Sequence, residues 1–472
     1  MPTELQEALT SLGASALVEK VIDPNLVELV RRYSPLMAAI PTKPWDSNIY
    51  YFNSRSALPQ GGSVAEGGAR PVSQSTYTQN QFPIKLFQAT GQVTGFAQQV
   101  TRSLIGDLLR KEVQGATKGL TFDIETALVW GNASATANSW PQPDGLDVQF
   151  ANFSGSLQNA IDAGGNPVAT GYLDQLIEIV ESNAAEPVDG VGTDYMFVAS
   201  SRAISSFGQG LVSQQRYDTV EIAPGVIVPT WRGIPLVKSS FLAARSASVG
   251  AVTTSTATTG GSLAAGTYYY RVSAIMGRYG ELNASAEVSQ VTTGSASTVT
   301  LSFTPPASVQ GSSVITYRVY RSDATGTETL LGVVDGVVGF QADGITPIPT
   351  TSIVDTGSAL IPQNGATQPA IVPTAYYGTN SGLLPRADAT TGNGGGEDIY
   401  LISRNEDNIC RPFVRDIMPI PVAATVLAPD VLPFAMVTDT TLAVRTPEFG
   451  ARVRNVVANL SNTNPVLLMH SV

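Results

Sequence analysis

The sequence predicts an α+β chain in which an all-β sandwich interrupts one discontinuous domain. Three observations predict it. Ile105, Leu109, Val113, Ala116, Leu120, Ile124 and Ala127 recur at the 3.6-residue period of a long helix. From about residue 245 to about 370 every signal is strand. From residue 371 onward the chain returns to the style of its first half.

The elements follow in order. Residues 1 to about 40 read as one or two helices, the second opening at Asp23-Pro24, a cap followed by a good first helical residue. Pro35, Pro41 and Pro44 then favour extended chain. From 46 to 96 the pattern is an arm: "NIYYFN" as a strand, "PQGGSVAEGGARP" as a loop, and Gln81 to Phe96 as a returning strand with Phe82, Ile84 and Leu86 on one side. A two-stranded ribbon is marginal alone in water, so a long one suits an arm that lies on another subunit. The long helix follows over 101–130, with Gly131 placed as its carboxy-terminal cap and Gly115 and Gly119 marking a bend or close packing. "GYLDQLIEIVESNAA" is a second helix, "DYMFVAS" a strand, and "SRAISSFGQGL" a short helix capped by Ser200 or Ser201. "VIVPTWRGIPLVKSSFL" gives two strands about Arg232-Gly233.

"SASVGAVTTSTATTGGSLAAG" then reads as a linker into the sandwich, whose strands alternate at 267–274, 298–303 and 315–320. "EDIYLISRNEDNI" and "PFAMVTDTTLAVRTPEFGARVRNV" each read as a strand pair. The expected divisions are 1–45, 46–96, 97–245, 246–370 and 371–472.

Composition narrows the function. Only 14% of residues are charged, against 43% hydrophobic, which suits a chain that sets much of its surface against other protein. A net charge of −11 argues against a nucleic-acid-binding face. The one cysteine, Cys410, excludes an intrachain disulfide. His470 is the sole histidine, so His-based catalysis or a His/Cys zinc shell is not expected, and no cofactor is. The glycine run Gly392-Asn393-Gly394-Gly395-Gly396 leads into a strand, not the helix that a phosphate cradle needs. The acid pairs Asp144/Asp147 and Glu406/Asp407 read as solvated turns. The first residues carry acids and no apolar core, and no run approaches bilayer length, so neither export nor membrane insertion is expected.

Four stretches resemble the major capsid protein of tailed double-stranded DNA bacteriophages. They are "VAEGGARP" with the return strand, "FDIETALVWGN", "RGIPLVKSSFL" and "FAMVTDTTLAVRTPEFGARVRNV". The likeness covers most of residues 20–242 and 375–460, and it lies in their order. It implies a fold of amino-terminal arm, extended loop, peripheral domain with spine helix, and axial domain. It implies a non-enzymatic shell protein, made in the host bacterial cytoplasm, forming hexamers and pentamers of an icosahedral head. Portal and scaffolding proteins would be partners, and DNA would be enclosed without specific binding.

The interrupting segment resembles the immunoglobulin- or fibronectin-like modules of phage structural proteins, with its strand types in a different order. It is expected to project outward, with Tyr269 and Tyr279 either exposed for weak binding or packed in core. In the capsid family the loop overlaps an adjacent subunit, and some members staple it through a lysine. No lysine lies between Lys43 and Lys85, so non-covalent pairing by Arg55, Glu66 and Arg70 is expected instead. The competing readings are an encapsulin-like compartment, a tail or adhesion protein acting through its sandwich, and a hydrolase using carboxylates alone.

Overall fold

The computed structural model describes residues 35–70, 72–102, 107–136, 140–151, 159–163, 168–184, 187–188, 194–212, 218–223, 226–242, 245–308, 313–357, 397–422 and 430–456. The helices expected before residue 35, the glycine run and His470 lie outside them.

The long helix is Leu108–Trp130. It starts later than its apolar period suggests because Asp107 caps it, its carboxylate accepting the Arg110 N–H. Gly95–Thr101 forms a separate short helix behind its own cap, Thr94. At the far end the Gly131 N–H donates to the Ala127 carbonyl. Gly131 is not left-handed there. A β-carbon would overlap the carbonyl oxygens of Pro143 and Ala127, so close approach is what selects glycine. From Leu120 onward most of the helix is buried, and Glu125 is fully enclosed. Its carboxylate accepts the N–H groups of Leu36 and Met37, capping the helix Pro35–Ala39 from 89 residues away. Pro35, expected in extended chain, instead opens that helix, where its missing N–H costs nothing.

A five-stranded sheet lies on the long helix, in the order Thr42–Pro44, Ile409–Pro421, Val431–Thr440, Lys85–Thr94, with Ala443–Val444 paired to the second. Phe87, Ala89 and Val93 face the core. Leu86, expected on the inner face with Phe82 and Ile84, is 56% exposed. The strand breaks at Ile84, whose N–H goes to the Asn48 carbonyl, and the pleat changes phase there. The return strand also ends at Thr94 rather than Phe96.

A seven-stranded sheet runs Ala160–Asp162, Gly450–Val456, Glu397–Ser403, Tyr195–Ala199, Ile234–Lys238, Val226–Trp231, Asp218–Ala223. Helices Thr170–Ala184 and Ser201–Val212 cover one face through Leu173, Leu176, Ile177, Ile204 and Phe207. The Ser200 hydroxyl accepts the Ala203 N–H, as its cap position predicts. Arg232 and Gly233 both have positive φ, the tight hairpin turn expected of Arg-Gly.

The two strand pairs expected near the carboxy terminus are not pairs. Glu397–Ser403 and Gly450–Val456 join the seven-stranded sheet, whereas Ile409–Pro421 and Val431–Thr440 join the five-stranded one. The chain passes between sheets at each polar turn. Alternation identifies a strand but not its partner.

Between 245 and 357 two sheets enclose one apolar core of Tyr270, Val272, Val299, Leu301, Tyr317, Val319 and Ile353. The larger runs Arg245–Ser248, Gly280–Asn283, Gly266–Met276, Val314–Ser322, Thr329–Asp335, with Val288–Thr292 also on the third. The smaller is Thr253–Ala257, Thr298–Ser302, Ser352–Asp355. The expected linker therefore contains two strands. Its threonines suit a half-exposed ladder, and Thr256 donates its hydroxyl to the Thr298 carbonyl. Tyr279 is a core residue and Tyr269 is half-buried, so neither is an exposed aromatic platform.

Gly131→Ala is expected to lower stability by roughly 2 kcal/mol or more, because the clash is with backbone. An unchanged urea midpoint would contradict this account of the helix end.

Candidate assembly interface

The arm is built on Ile49–Ala57 and Thr76–Pro83, paired antiparallel from Ile49↔Pro83 to Ala57↔Thr76. Residues 58–70 between the strands are exposed throughout, and beside them Tyr77 is 67% exposed. So thin a ribbon needs an anchored root, and aromatic side chains supply it. Trp45 meets Tyr50 edge-on at 4.9 Å, Tyr50 lies 6.2 Å from Phe52, and Phe52 stacks on Phe82 at 6.0 Å. The Arg445 guanidinium sits 5.4 Å from the Phe52 ring centre. Tyr50 packs with Cys410 and Ala443 and is buried enough for its phenol to be pushed up to about 12. Lys43 pairs with Glu406 at 2.8 Å at the rim.

Arg55 lies on the ribbon opposite Tyr77, Glu66 sits in the tip turn, and the Arg70 guanidinium lies against Gly62. All three are exposed. They are not brought together within the subunit, and none pairs with a charge among the described residues.

A second junction joins the strand-rich insert to the remainder of the chain. Five charges alternate in sign, Arg452, Asp147, Arg318, Glu281 and Arg454. Asp147, on the helix Leu146–Ala151, pairs with both Arg452 and Arg318. Arg318 reaches Glu281 at 2.6 Å, and Glu281 reaches Arg454 at 2.7 Å. Tyr320 and Ser273 each donate to Glu281 at 2.7 Å. Burial alone would raise Asp147, but the guanidiniums of Arg318, Arg452 and Arg454 hold it at about 2. Glu281 is lowered in the same way, by Arg318 and Arg454 against its burial. Asp398 adjoins the group. Burial pushes it up to about 6, opposed by Arg454 and Arg452 and reinforced by Asp147 and Glu281.

The sequence pattern reads Asp147 as part of a solvated turn, and sets Arg318 and Tyr320 on the opposite face of their strand from Tyr317 and Val319. Both faces of Ser273–Met276 and of Thr316–Tyr320 are in fact buried. The available signal was chemical. Arg318, Tyr320, Arg452 and Arg454 are long side chains with matching donors and acceptors, at alternating positions on strands. The other acid pair behaves as expected, with Glu406 and Asp407 exposed. Among the described residues no cluster of three potential metal ligands occurs, and no helix is long and apolar enough to cross a membrane.

Comparisons with known proteins bear on what such an assembly is. The model of the SU10 major capsid protein family matches residues 12–250. No curated protein matches the sequence. Solved structures that align include the Cyanophage A-1(L) capsid, at 10% identity and a TM-score of 0.45, over 95% of this chain and 99% of that one. A Mycobacterium phage Ogopogo chain aligns at 10% and 0.43, over 95% and 99%. The holo-SrpI encapsulin complex of Synechococcus elongatus aligns at 12% and 0.42, over 97% and 99%.

Phe52→Ala removes two aromatic contacts and one cation–π contact, together about 2 kcal/mol of arm anchoring. Hydrogen exchange over residues 49–57 and 76–83 should rise while the two large sheets keep their protection. Asp398 makes the insert junction pH-dependent. Its folded value lies above the unfolded value of about 3.9, so its favourable contribution is complete below about 4 and lost as pH rises through about 6. The lost contribution is worth roughly 3 kcal/mol at most. Asp398→Asn should raise the thermal midpoint by a few degrees at pH 7.5, by about half as much at pH 5, and leave it unchanged near pH 3. Equal shifts at pH 7.5 and pH 3 would remove Asp398 from this account.

Proposed function

Because the chain belongs to the SU10 major capsid protein family, we propose that its exposed arm is the element that ties each subunit of a phage head to its neighbour. The protein is a structural component of the virion: it builds the capsid shell, and that role calls for no catalysis. The family match over residues 12–250, which includes the arm and the long helix, carries this reading.

Within that role the arm extends as a ribbon whose outer half is exposed among the described residues. A two-stranded ribbon of this length gains its stability by lying on a neighbour. Arg55, Glu66 and Arg70 are the charges positioned to pair across that contact. The subunits associate as hexamers and pentamers, with portal and scaffolding proteins as further partners. The wall encloses DNA without gripping it, since a chain of net charge −11 repels a polyanion overall. The segment 246–370 is read as an immunoglobulin- or fibronectin-like module on the outer side. The remaining segments are read as arm (1–45), extended loop (46–96), and the two halves of the peripheral and axial domains (97–245 and 371–472).

Electron microscopy of the expressed chain tests the reading. Closed polyhedral shells, or hexamer and pentamer rings, are expected. Arg55→Glu with Arg70→Glu should lower the yield of closed particles severalfold without changing subunit solubility. The same particles should run as a single-chain band on denaturing electrophoresis. Tubes would indicate a tail protein. Shells holding protein cargo and no DNA in infected cells would indicate a compartment, and a ladder of cross-linked chains would refute the non-covalent arm contact.

A further inference from the structure

We propose that the strand-rich insert is an internal brace, which holds the long helix against the seven-stranded sheet, so that the shell subunit has no stable fold without it. The proposal rests on three places where the insert and the rest of the chain complete each other.

The first is the hairpin tip at 276–280. Arg278 has a positive φ of 64°, a conformation that costs energy for a residue with a side chain. In that conformation its N–H donates to the Thr126 hydroxyl at 2.8 Å, and its guanidinium grips both carboxylate oxygens of Asp123 at 2.9 and 3.1 Å. The same guanidinium packs on Gly119. Three successive turns of the helix are thus held by one residue of the insert. Gly119 leaves the room, which explains the glycine that the sequence placed in the middle of a helix.

The second is the end of the helix. Trp130 donates its indole N–H to the Phe241 carbonyl at 2.9 Å. Gly280 of the insert lies over this bond. A β-carbon there would stand 2.6 Å from the indole nitrogen and 2.7 Å from the Phe241 oxygen. Arg318 of the insert stacks over the same indole at 5.8 Å. Ile275 of the insert is buried in the apolar cluster of the long helix and not in the insert's own core.

The third is the alternating charge row. Arg452 and Arg454 belong to the strand Gly450–Val456 of the seven-stranded sheet, Asp147 to the short helix after the long one, and Arg318 and Glu281 to the insert. All five are buried. Removing the insert would take Glu281 from Arg454 and Arg318 from Asp147, breaking the alternation of the row. Breaking a buried ionic network by removing partners is among the few causes of gross destabilisation.

The insert therefore touches the helix through Arg278, Gly280 and Ile275, and the sheet through Glu281 and Tyr320, both of which Arg454 reaches. Residues 275–282 serve both contacts, so movement at one is transmitted to the other.

Hydrogen–deuterium exchange on full-length, unassembled subunits tests the brace, and its reading does not depend on whether shells form. Arg278→Ala and the near-isosteric Glu281→Gln are compared with the parent chain. Each should speed exchange on the order of tenfold, in the helix over residues 119–130 and in the strand over residues 450–456. Acceleration confined to residues 266–322 would overturn the proposal. A second variant replaces residues 249–357 by a short Gly/Ser linker, and it should yield no soluble subunit. Recovery of that variant as folded subunits or closed particles would overturn the proposal outright.

Discussion

The alternating row Arg452–Asp147–Arg318–Glu281–Arg454 is the constraint on which the rest of this structure turns. A lone charge in a protein interior is severely penalised, and even a pair regains its desolvation cost only with good geometry. A row of alternating sign meets that condition when every member is in place, and it fails as a whole when one is absent. Its members come from a sheet strand, a short helix and two insert strands, and its bonded pair Arg452–Asp147 spans 305 residues in sequence. The row therefore does for position what apolar packing does not. Apolar faces tolerate sliding, whereas a buried ionic row admits one register.

The arm shows the complementary arrangement. Its root is fixed by stacked rings and one overlying guanidinium, and its outer part has little to hold it within the subunit. The subunit thus joins a rigid interior to an appendage of fixed direction. In a shell built from copies of one chain, the angle at which each arm leaves its subunit is set before neighbours meet. Tyr50, Phe52 and Phe82 set that angle.

Much of this was legible in the sequence, because most elements are amphipathic with one buried side. The helix Thr170–Ala184, the strand Tyr195–Ala199, the Arg232-Gly233 turn and the arm all follow from period and turn chemistry. The failures share one cause. Ser273, Glu281, Arg318 and Tyr320 are polar and alternate with apolar residues, which by period alone means solvent. Asp147 follows a run of turn residues, which by composition means a surface loop. In each case the polar side faces another protein surface rather than water. Glu125 is the same case within a helix, a carboxylate buried to cap a turn 89 residues earlier. The strand partners near the carboxy terminus were hidden for a different reason, since hydrogen-bonded ladders are made by backbone that every residue shares.

The exchange of strands between the two large sheets bears on the timing of synthesis. Lys85–Thr94 pairs within its sheet with Val431–Thr440, roughly 340 residues later. Tyr195–Ala199 likewise waits for Glu397–Ser403. At about 5–20 residues per second, the ribosome takes on the order of half a minute to deliver the partner of the earlier strand. Neither sheet is complete until its last strand, ending at Val444 or Val456, has been made. Products truncated before those strands therefore lack both completed sheets, and topology alone keeps them out of the folded pool.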